Sequence, residues 1–408
     1  MENTNVIVRK INPSEIIETE KLSSLAFSWS FDEEAYAKKL QEGNPPTNKG
    51  DAYALNKWAA FQEDGSLIGC MTIIPYQMYF DGHILPMSGI GCVCTYPQYR
   101  RKRAIRHCFE GAIREMYDTN QTFSFLYPFS QAFYRKFGYE PTAGRIVWNF
   151  SMNTIPEYDY PGSFSLYDGK DITEFEKAYK KFAVSYNMMV ERDEYDWHRL
   201  KDCNPFKTNK QAYLYKNEAG EPSGYFIFER EIINNSAVMN CSEFVFDNFD
   251  TLRALLSFAR AFRADYSSIQ LEAARDLRLE YFCSDYPQSS SHSEIKPMGM
   301  IRVVRVDKVL ACAKYQGTGS ISIEIKDEML PENSGIWSVT FEDGKATSVS
   351  KDSVNKADIS MTIQVFSTAI TGGCDLSDFT YRTDVKVNNA DEIHKVFYHK
   401  NSLIVNYF

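Results

Sequence analysis

The feature that most restricts the fold of this chain is one stretch, residues 92–105, CVCTYPQYRRKRAI, in which an apolar run and a proline precede four consecutive basic residues. The run predicts a strand, and apolar residues at helical spacing over 99–117 predict a helix after it. Free N–H groups and the dipole at a helix N-terminus favour an anion, and the basic cluster adds positive charge. The stretch predicts a pyrophosphate site. A solvated basic helix start is the alternative.

Strands and helices alternate through the first 145 residues. Asp-Gly pairs at Asp64-Gly65 and Asp81-Gly82 favour tight hairpin turns, and Gly138 favours the end of a short helix. The patterns predict strands at 5–9, 57–62, 66–80 and 122–127, a small apolar run at 85–95, and helices at 13–27, 99–117 and 131–137.

At 408 residues the chain is too long for one core, given about 100–200 residues per domain, and we expect three domains: 1–145, 146–292 and 293–408. The second repeats the strand-and-helix order of the first in degenerate form, with helices at 172–186 and 249–264 and strands at 211–216, 224–229 and 238–246. A serine-rich linker or exposed loop is expected at 287–293. The third is an α+β unit with strands at 319–326, 335–342, 346–351 and 357–364 and helices at 364–371 and 391–397.

A net charge of −9 limits the classes of partner. Nucleic-acid binding requires a basic face, so the charge argues against nucleic acid and favours a cationic small molecule. The N-terminus lacks a basic region followed by an apolar run, and no stretch approaches the roughly 18 apolar residues of a membrane span. We therefore expect a cytoplasmic protein that does not enter the membrane. Nine cysteines and six histidines lack zinc-site spacing, so we expect no metal and reduced, mostly buried thiols.

Residues 100–105, RRKRAI, resemble the acetyl-CoA motif of the GNAT superfamily of acetyltransferases, in which a strand and a proline precede an R/Q-x-x-G-x-G/A loop that opens a helix. The match holds in position and charge and departs at Arg103, where the superfamily usually has glycine. Glycine lets the backbone approach a phosphate without a Cβ atom in the way, whereas Arg103 can offset lost closeness with added charge.

A second stretch, FYRKFGYE at residues 133–140, is similar to the segment where many GNAT enzymes place an acid tyrosine. The whole chain resembles the enhanced-intracellular-survival (Eis) family of bacterial acetyltransferases. This resemblance implies a mixed α+β fold of tandem GNAT-like domains and a C-terminal sterol-carrier-protein-like domain. It also implies acetyl-CoA as cosubstrate, acceptors that include aminoglycoside antibiotics, and a homo-oligomer, which in the family is a hexamer.

The resemblance also implies roles for individual residues. The α-carboxylate of Phe408 would be the base and the phenol of Tyr134 the acid, because an amine must lose a proton and a departing thiolate must gain one. The alternative for Phe408 is a terminus that docks only for stability, and the alternative for Tyr134 is an aromatic ring that only packs. Tyr127 and Tyr139 are expected to pack. The implied cofactor-binding residues are Val93, Cys94 and Thr95 for the pantetheine arm, Arg100, Arg101, Lys102, Arg103, Ala104, Ile105 and Arg106 for the pyrophosphate, and Phe129 and Ser130 near the thioester.

The acceptor is less restricted by the sequence. Acidic and aromatic residues of the second domain can line a pocket for a polyamine-like sugar, or they can form a solvated helix face: Tyr186, Glu191, Asp193, Glu194, Tyr195, Asp196 and Trp197. A protein lysine or a small polyamine is an alternative acceptor. A non-catalytic CoA-binding or lipid-binding protein is the alternative to an enzyme.

Overall fold

The computed structural model describes residues 6–142, 144–285, 291–297, 299–374 and 381–408. Contacts between residues in space divide the chain into two compact units. The first comprises residues 1–142, 299–399 and 407–408, and the second comprises residues 143–298 and 400–406. Most of the predicted linker at 287–293 lies outside the described residues, and its last two residues belong to a strand.

The secondary-structure elements are numbered here in chain order. The strands are β1 Ile7–Lys10, β2 Lys57–Phe61, β3 Leu67–Phe80, β4 His83–Thr95, β5 Phe123–Leu126, β6 Glu140–Pro141, β7 Gly144–Ser151, β8 Ser163–Leu166, β9 Val190–Glu191, β10 Lys210–Lys216, β11 Pro222–Ile233, β12 Ser236–Phe246, β13 Ser268–Ala274, β14 His292–Pro297, β15 Met300–Val303, β16 Gly319–Lys326, β17 Gly335–Glu342, β18 Lys345–Lys351, β19 Ile359–Thr362 and β20 Val385–Val387. The helices are α1 Ile16–Phe27, α2 Glu33–Glu42, α3 Lys49–Ala52, α4 Ala104–Asp118, α5 Gln131–Arg135, α6 Thr173–Ala183, α7 His198–Lys201, α8 Phe249–Arg260, α9 Val306–Cys312, α10 Ile363–Ile370 and α11 Ile393–Val396.

One sheet of the first unit has the strand order β1-β2-β3-β4-β5-β15-β6. Its neighbours are antiparallel except β4 and β5, which are parallel. Asp81 and Gly82, with φ of 49° and 87°, join β3 to β4 in the tight turn that the Asp-Gly pair predicts. Strand β15 pairs with β5 and β6, and all of its residues are buried. Residues at the start of the predicted third domain therefore complete this sheet.

Helix α4 packs one apolar face into the core of that unit. The predicted face is buried throughout: Ile105, Cys108, Phe109, Ala112, Ile113 and Met116. The prediction of a helix from Tyr99 is wrong at its start, since α4 begins at Ala104. Arg101 and Arg103 have φ of 69° and 59°, and a right-handed helix cannot contain such left-handed residues.

The first unit also contains a five-stranded sheet of order β18-β17-β16-β19-β20, with α9, α10 and α11. The second unit is built on one sheet of order β14-β7-β13-β12-β11-β10-β8, in which only β12 and β13 are parallel. Helices α2 and α3 lie where the sequence predicts no element, and α2 has no buried residue. The chain thus has the mixed α+β fold that the sequence predicts.

Candidate active site

Strands β4 and β5 separate at the candidate site. Their parallel pairing ends where Ile90 meets Leu126, which is the last residue of β5. Strand β4 continues to Thr95. The edge of β4 beyond Ile90 is therefore not paired with β5 and has the geometry to receive an extended ligand.

A β-bulge lies in β4 at the same level. Cys70 of β3 pairs with Cys94, but Thr72 pairs with Gly91, so β4 carries one extra residue between the two pairs. Cys92 within the bulge has a left-handed φ of 51°. A bulge bends its strand and increases the local twist, which explains why β4 turns away from β5 here.

The loop after β4 presents the N-terminus of α4. Pro97–Tyr99 forms a short 3-10 turn, and Arg103 is the N-cap of α4 with φ of 59° and ψ of 12°. The Arg103 side chain does not cap the helix. The first N–H groups of a long helix thus remain available for an anion, as the sequence predicts.

A cleft of about 1030 Å³ adjoins this loop. Its wall contains every predicted cofactor-binding residue except Ser130, so the structure brings that set together. It also contains residues that the sequence analysis does not single out: Ala26, Phe27, Tyr99, Phe133, Lys136 and Phe137. Phe133, Lys136 and Phe137 recur at helical spacing within FYRKFGYE, and this spacing is the signal that could have identified them. Ala26 and Phe27 end α1 and carry no such signal.

The basic side chains of residues 100–103 are exposed. Within the described parts of the chain none of them pairs with a carboxylate, whereas Arg106 lies 2.9 Å from Glu110. The Lys102 ammonium lies 5.1 Å from the centre of the Tyr99 ring. Unpaired cations beside a helix N-terminus, a free strand edge and a cleft of this size together fit a CoA ester.

Tyr134 belongs to α5 and is only 3% exposed. Ser130 is the N-cap of that helix and accepts a hydrogen bond from the Phe133 N–H at 3.3 Å, which gives Ser130 a structural role. The Tyr134 ring contacts Phe129 and Phe133, both in the cleft wall, at centroid distances of 5.4 and 5.2 Å. Burial raises the pKa of the Tyr134 phenol, and the neighbouring Tyr139 raises it further. The hydroxyl therefore keeps its proton at neutral pH.

Phe408 lies beside β4, close to the point where β4 leaves β5. A Cβ atom on Gly91 would lie 3.4 Å from the carboxyl carbon of Phe408. Neither Phe408 nor Tyr134 is part of the cleft wall. Gly91 precedes the cleft residue Val93 by two positions, so the carboxyl group is adjacent to the strand that forms the wall.

The acidic and aromatic candidates of the second unit differ in their burial and contacts. Asp196 and Trp197 are buried. Asp196 accepts a hydrogen bond from the Asn406 side-chain amide at 3.0 Å, and Trp197 packs against Tyr179 and Arg192. These contacts give both residues structural roles.

The remaining acidic candidates of that unit are either paired with a lysine or exposed. Glu191 lies 3.5 Å from the Lys180 ammonium, and Asp193 and Glu194 are exposed. Tyr186 lines a cavity of about 20 Å³, which has room for a water molecule and none for a sugar.

The nine cysteines form no disulfide with one another, and no group of three or more His, Cys, Asp or Glu side chains within the described ranges is placed to hold a metal ion. Among the helices described, none has the length and apolar character needed to cross a membrane.

Comparison with family models gives three matches. Residues 7–142 and residues 188–306 each match an acetyltransferase (GNAT) domain, and residues 306–402 match a sterol carrier protein domain. The chain is therefore an acetyltransferase of the GNAT superfamily, with two GNAT domains and a sterol-carrier-protein domain. Domains of this type use an acyl-CoA donor and act on amine acceptors.

Solved structures extend the comparison to the whole chain. A GCN5-related N-acetyltransferase from Anabaena variabilis is 20% identical with a TM-score of 0.85, and a probable N-acyltransferase from Enterococcus faecalis is 22% identical with a TM-score of 0.84. Eis1 from Mycobacterium abscessus is 15% identical with a TM-score of 0.80. Each comparison covers 99% of this chain and 100% of the other. Within the superfamily, this chain has the Eis-like fold. Comparison with curated proteins gives no match.

Proposed function

We propose that this enzyme transfers the acetyl group of acetyl-CoA to an amine of a cationic small molecule, and that the acceptor is an aminoglycoside. The observation that carries the donor half is the cleft of the first unit, which combines a free strand edge, a helix N-terminus and unpaired cations. The acceptor half rests on the Eis-like fold and on a net charge of −9, which attracts polycations.

The donor, when bound, supplies an acyl group activated as a thioester. The backbone of Val93–Thr95 would pair with the amides of its pantetheine arm. The first N–H groups of α4 and the cations of residues 100–103 would neutralise its pyrophosphate. Phe129 and Ser130 are proposed to lie near the thioester.

Two groups of the chain are proposed to move protons. An α-carboxylate is ordinarily charged at neutral pH, so that of Phe408 can hold an ammonium acceptor and remove its proton, directly or through water. Tyr134 can give its proton to the leaving thiolate. The raised pKa of Tyr134 ensures that this proton is present but makes the transfer more uphill, since a thiol has a pKa of about 8.5.

A thiol-release assay tests this function. Purified protein is incubated with acetyl-CoA, with an aminoglycoside, or with both, and free CoA thiol is measured together with the mass of the acceptor. Thiol and an acceptor heavier by one acetyl group should appear only when both substrates are present. Absence of acetyl-CoA binding in calorimetry at low salt would contradict the donor half.

The acceptor is tested separately by replacing the aminoglycoside. Spermidine and a lysine-containing peptide are offered at the same concentration in the same assay. The proposal expects the highest kcat/KM with an aminoglycoside. A higher value with either alternative would keep the acetyltransferase and change its acceptor.

Three further properties belong to this proposal. They are domain boundaries near 145/146 and 292/293, a cytoplasmic location and a homo-oligomer of six chains. Light scattering coupled to gel filtration checks the last of these, and a monomer in solution would contradict it.

A further inference from the structure

The Phe408 ring is surrounded by aromatic side chains of the first unit. Its centroid lies 4.9 Å from that of Tyr76, 5.5 Å from Tyr127 and 6.0 Å from Phe125. Gly89 of β4 lies against the same ring, where a Cβ atom would be 2.7 Å from a ring carbon. Only glycine fits there without displacing the ring.

The residue before Phe408 is held by one of the same side chains. The Tyr407 ring stacks on Tyr127, with centroids 4.9 Å apart and an interplanar angle of 25°. Tyr127 directly follows β5, and Gly89 pairs with Phe125 on that strand. The contacts to the two final aromatic rings therefore come from β3, β4, β5 and the residue that follows β5.

We propose that Gly89, Tyr76 and Tyr127 form a receptor for the Phe408 ring, which positions the Phe408 carboxyl group beside Gly91. These are positioning residues, because they contact the ring and not the reacting atoms. The inference rests on the proposed role of the carboxylate as base. It adds that the base is placed by aromatic packing and by the missing side chain of Gly89.

The chemistry of the receptor defines a small molecule that should replace Phe408. The receptor recognises the phenyl ring of Phe408. In that residue the carboxyl carbon lies two bonds from the CH₂ group that carries the ring. 3-Phenylpropionate is phenylalanine without its amino group, so it carries the same ring and carboxylate at the same separation. A chain that ends at Tyr407 should bind this free acid where Phe408 was.

Binding is measured first, by calorimetry and without any CoA compound. The chain lacking Phe408 should bind one 3-phenylpropionate, and the full chain should not, because its own ring fills the receptor. Adding Gly89→Ala to the shortened chain should weaken the binding at least about tenfold, because the new methyl group occupies ring space. Equal binding by the full and shortened chains, or no binding by either, would overturn the receptor.

Turnover is measured next, with acetyl-CoA and the acceptor saturating. 3-Phenylpropionate should raise the kcat of the chain lacking Phe408 at least about tenfold. 3-Phenylpropan-1-ol, which has the ring and no carboxylate, should not raise it. In the full chain, Gly89→Ala should lower kcat by about a hundredfold and leave the KM for acetyl-CoA unchanged, as expected for a misplaced catalytic group.

Matched variants separate the possible failures. Phe408→Ala keeps the carboxylate and removes the ring, and it should lose kcat to a similar extent as Gly89→Ala. Gly91→Ala should lose less, because its Cβ would lie at 3.4 Å, within reach of a small adjustment. Full kcat in both Phe408→Ala and Gly89→Ala would overturn the positioning inference while leaving the proposed function intact. No turnover by the unaltered chain would contradict the proposed function itself, and the binding experiment would still test the receptor.

Discussion

Arg302 and Asp327 form a doubly hydrogen-bonded ion pair, with N–O distances of 2.9 and 2.7 Å and no exposed surface on either side chain. Arg302 also donates a hydrogen bond to the Phe137 carbonyl oxygen at 2.7 Å. Gly138 leaves the space for this guanidinium, since a Cβ atom there would overlap it. The glycine of FYRKFGYE is thus required by the packing of Arg302, besides its left-handed φ of 85°.

The Asp327→Asn variant should be strongly destabilised, because it leaves a buried guanidinium without its counter-charge. We expect the free energy of unfolding to fall by about 3–5 kcal/mol, measured by urea denaturation. Glu332→Gln is the matched control, since Glu332 pairs with Arg114 at 2.7 Å on the surface. That change should cost less than about 1 kcal/mol. Equal costs for the two variants would contradict the assignment of a buried pair.

Arg103→Gly should stabilise the fold or leave its stability unchanged. Arg103 has a left-handed backbone, a conformation that costs a residue with a side chain about 1–2 kcal/mol. Glycine removes this cost, but its greater freedom in the unfolded chain lowers the free energy of unfolding by about 1 kcal/mol. Lys102→Gly, at an exposed neighbour outside the left-handed region, should destabilise. The midpoints of thermal unfolding of the two variants check the difference. A lower midpoint for Arg103→Gly than for Lys102→Gly would be inconsistent with the backbone conformation.

The cations of the loop should control affinity for CoA. Replacing Arg100 and Arg101 together by glutamine should raise the Kd for CoA by about ten- to a hundredfold and flatten its salt dependence, because charge-assisted contacts to phosphate contribute about 1.5–3 kcal/mol. Arg106→Gln should have a smaller effect, since Arg106 already pairs with Glu110. Calorimetry over a range of salt concentrations measures both. An unchanged Kd in the double variant would place the pyrophosphate elsewhere.

Tyr134→Phe should lower kcat by about a hundred- to ten-thousandfold, as expected for the loss of a general acid. Its stability should change little, because the Tyr134 hydroxyl has no hydrogen-bond partner among the described residues. Tyr139→Phe is the control, because the Tyr139 hydroxyl lies 2.7 Å from the Ser124 hydroxyl in the core. That variant should lose about 1 kcal/mol of stability and keep its turnover. The reverse pattern would assign Tyr134 to packing alone.

The pH dependence of kcat tests the same residue. Burial raises the Tyr134 pKa above its usual value of about 10, so the protonated, donating form persists to higher pH than for an exposed tyrosine. We therefore expect no alkaline fall in kcat below about pH 10. A fall near pH 8 that disappears in Tyr134→Phe would show that the phenol is more acidic in the working enzyme.

The sequence predicted the parts of the site that are local in the chain. The strand, turn and helix around Arg100–Arg106 and the buried face of α4 follow from periodicity and from the chemistry of helix ends. The left-handed backbone at Arg101 and Arg103 escaped prediction because arginine rarely adopts it. The packing of Gly89 and Gly91 against Phe408 escaped because it joins residues more than three hundred positions apart, and no local pattern reports such a contact.

The same limit applies to β15 and to the end of α1. The sequence analysis predicts no strand at Met300–Val303, which contains Arg302, and the partners of this strand, β5 and β6, are set by tertiary structure. Phe27 enters the cleft wall only because α1 ends beside it. The acidic and aromatic residues near Trp197 show the converse, since their composition left a pocket and a solvated helix face equally open, and the structure buries Asp196 and Trp197 in packing contacts.

The most direct test of the account is the turnover of a protein whose last residue is Phe408 beside one extended by two serines after Phe408. Both are made without other tags, and intact mass establishes their ends. The extension moves the charged carboxylate away from Gly91 and leaves the Phe408 ring in the chain. We predict that kcat falls by about a hundred- to ten-thousandfold while acetyl-CoA binding and the thermal midpoint change little. Equal kcat for the two proteins would contradict the Phe408 carboxylate as base and would leave a side-chain base to be found.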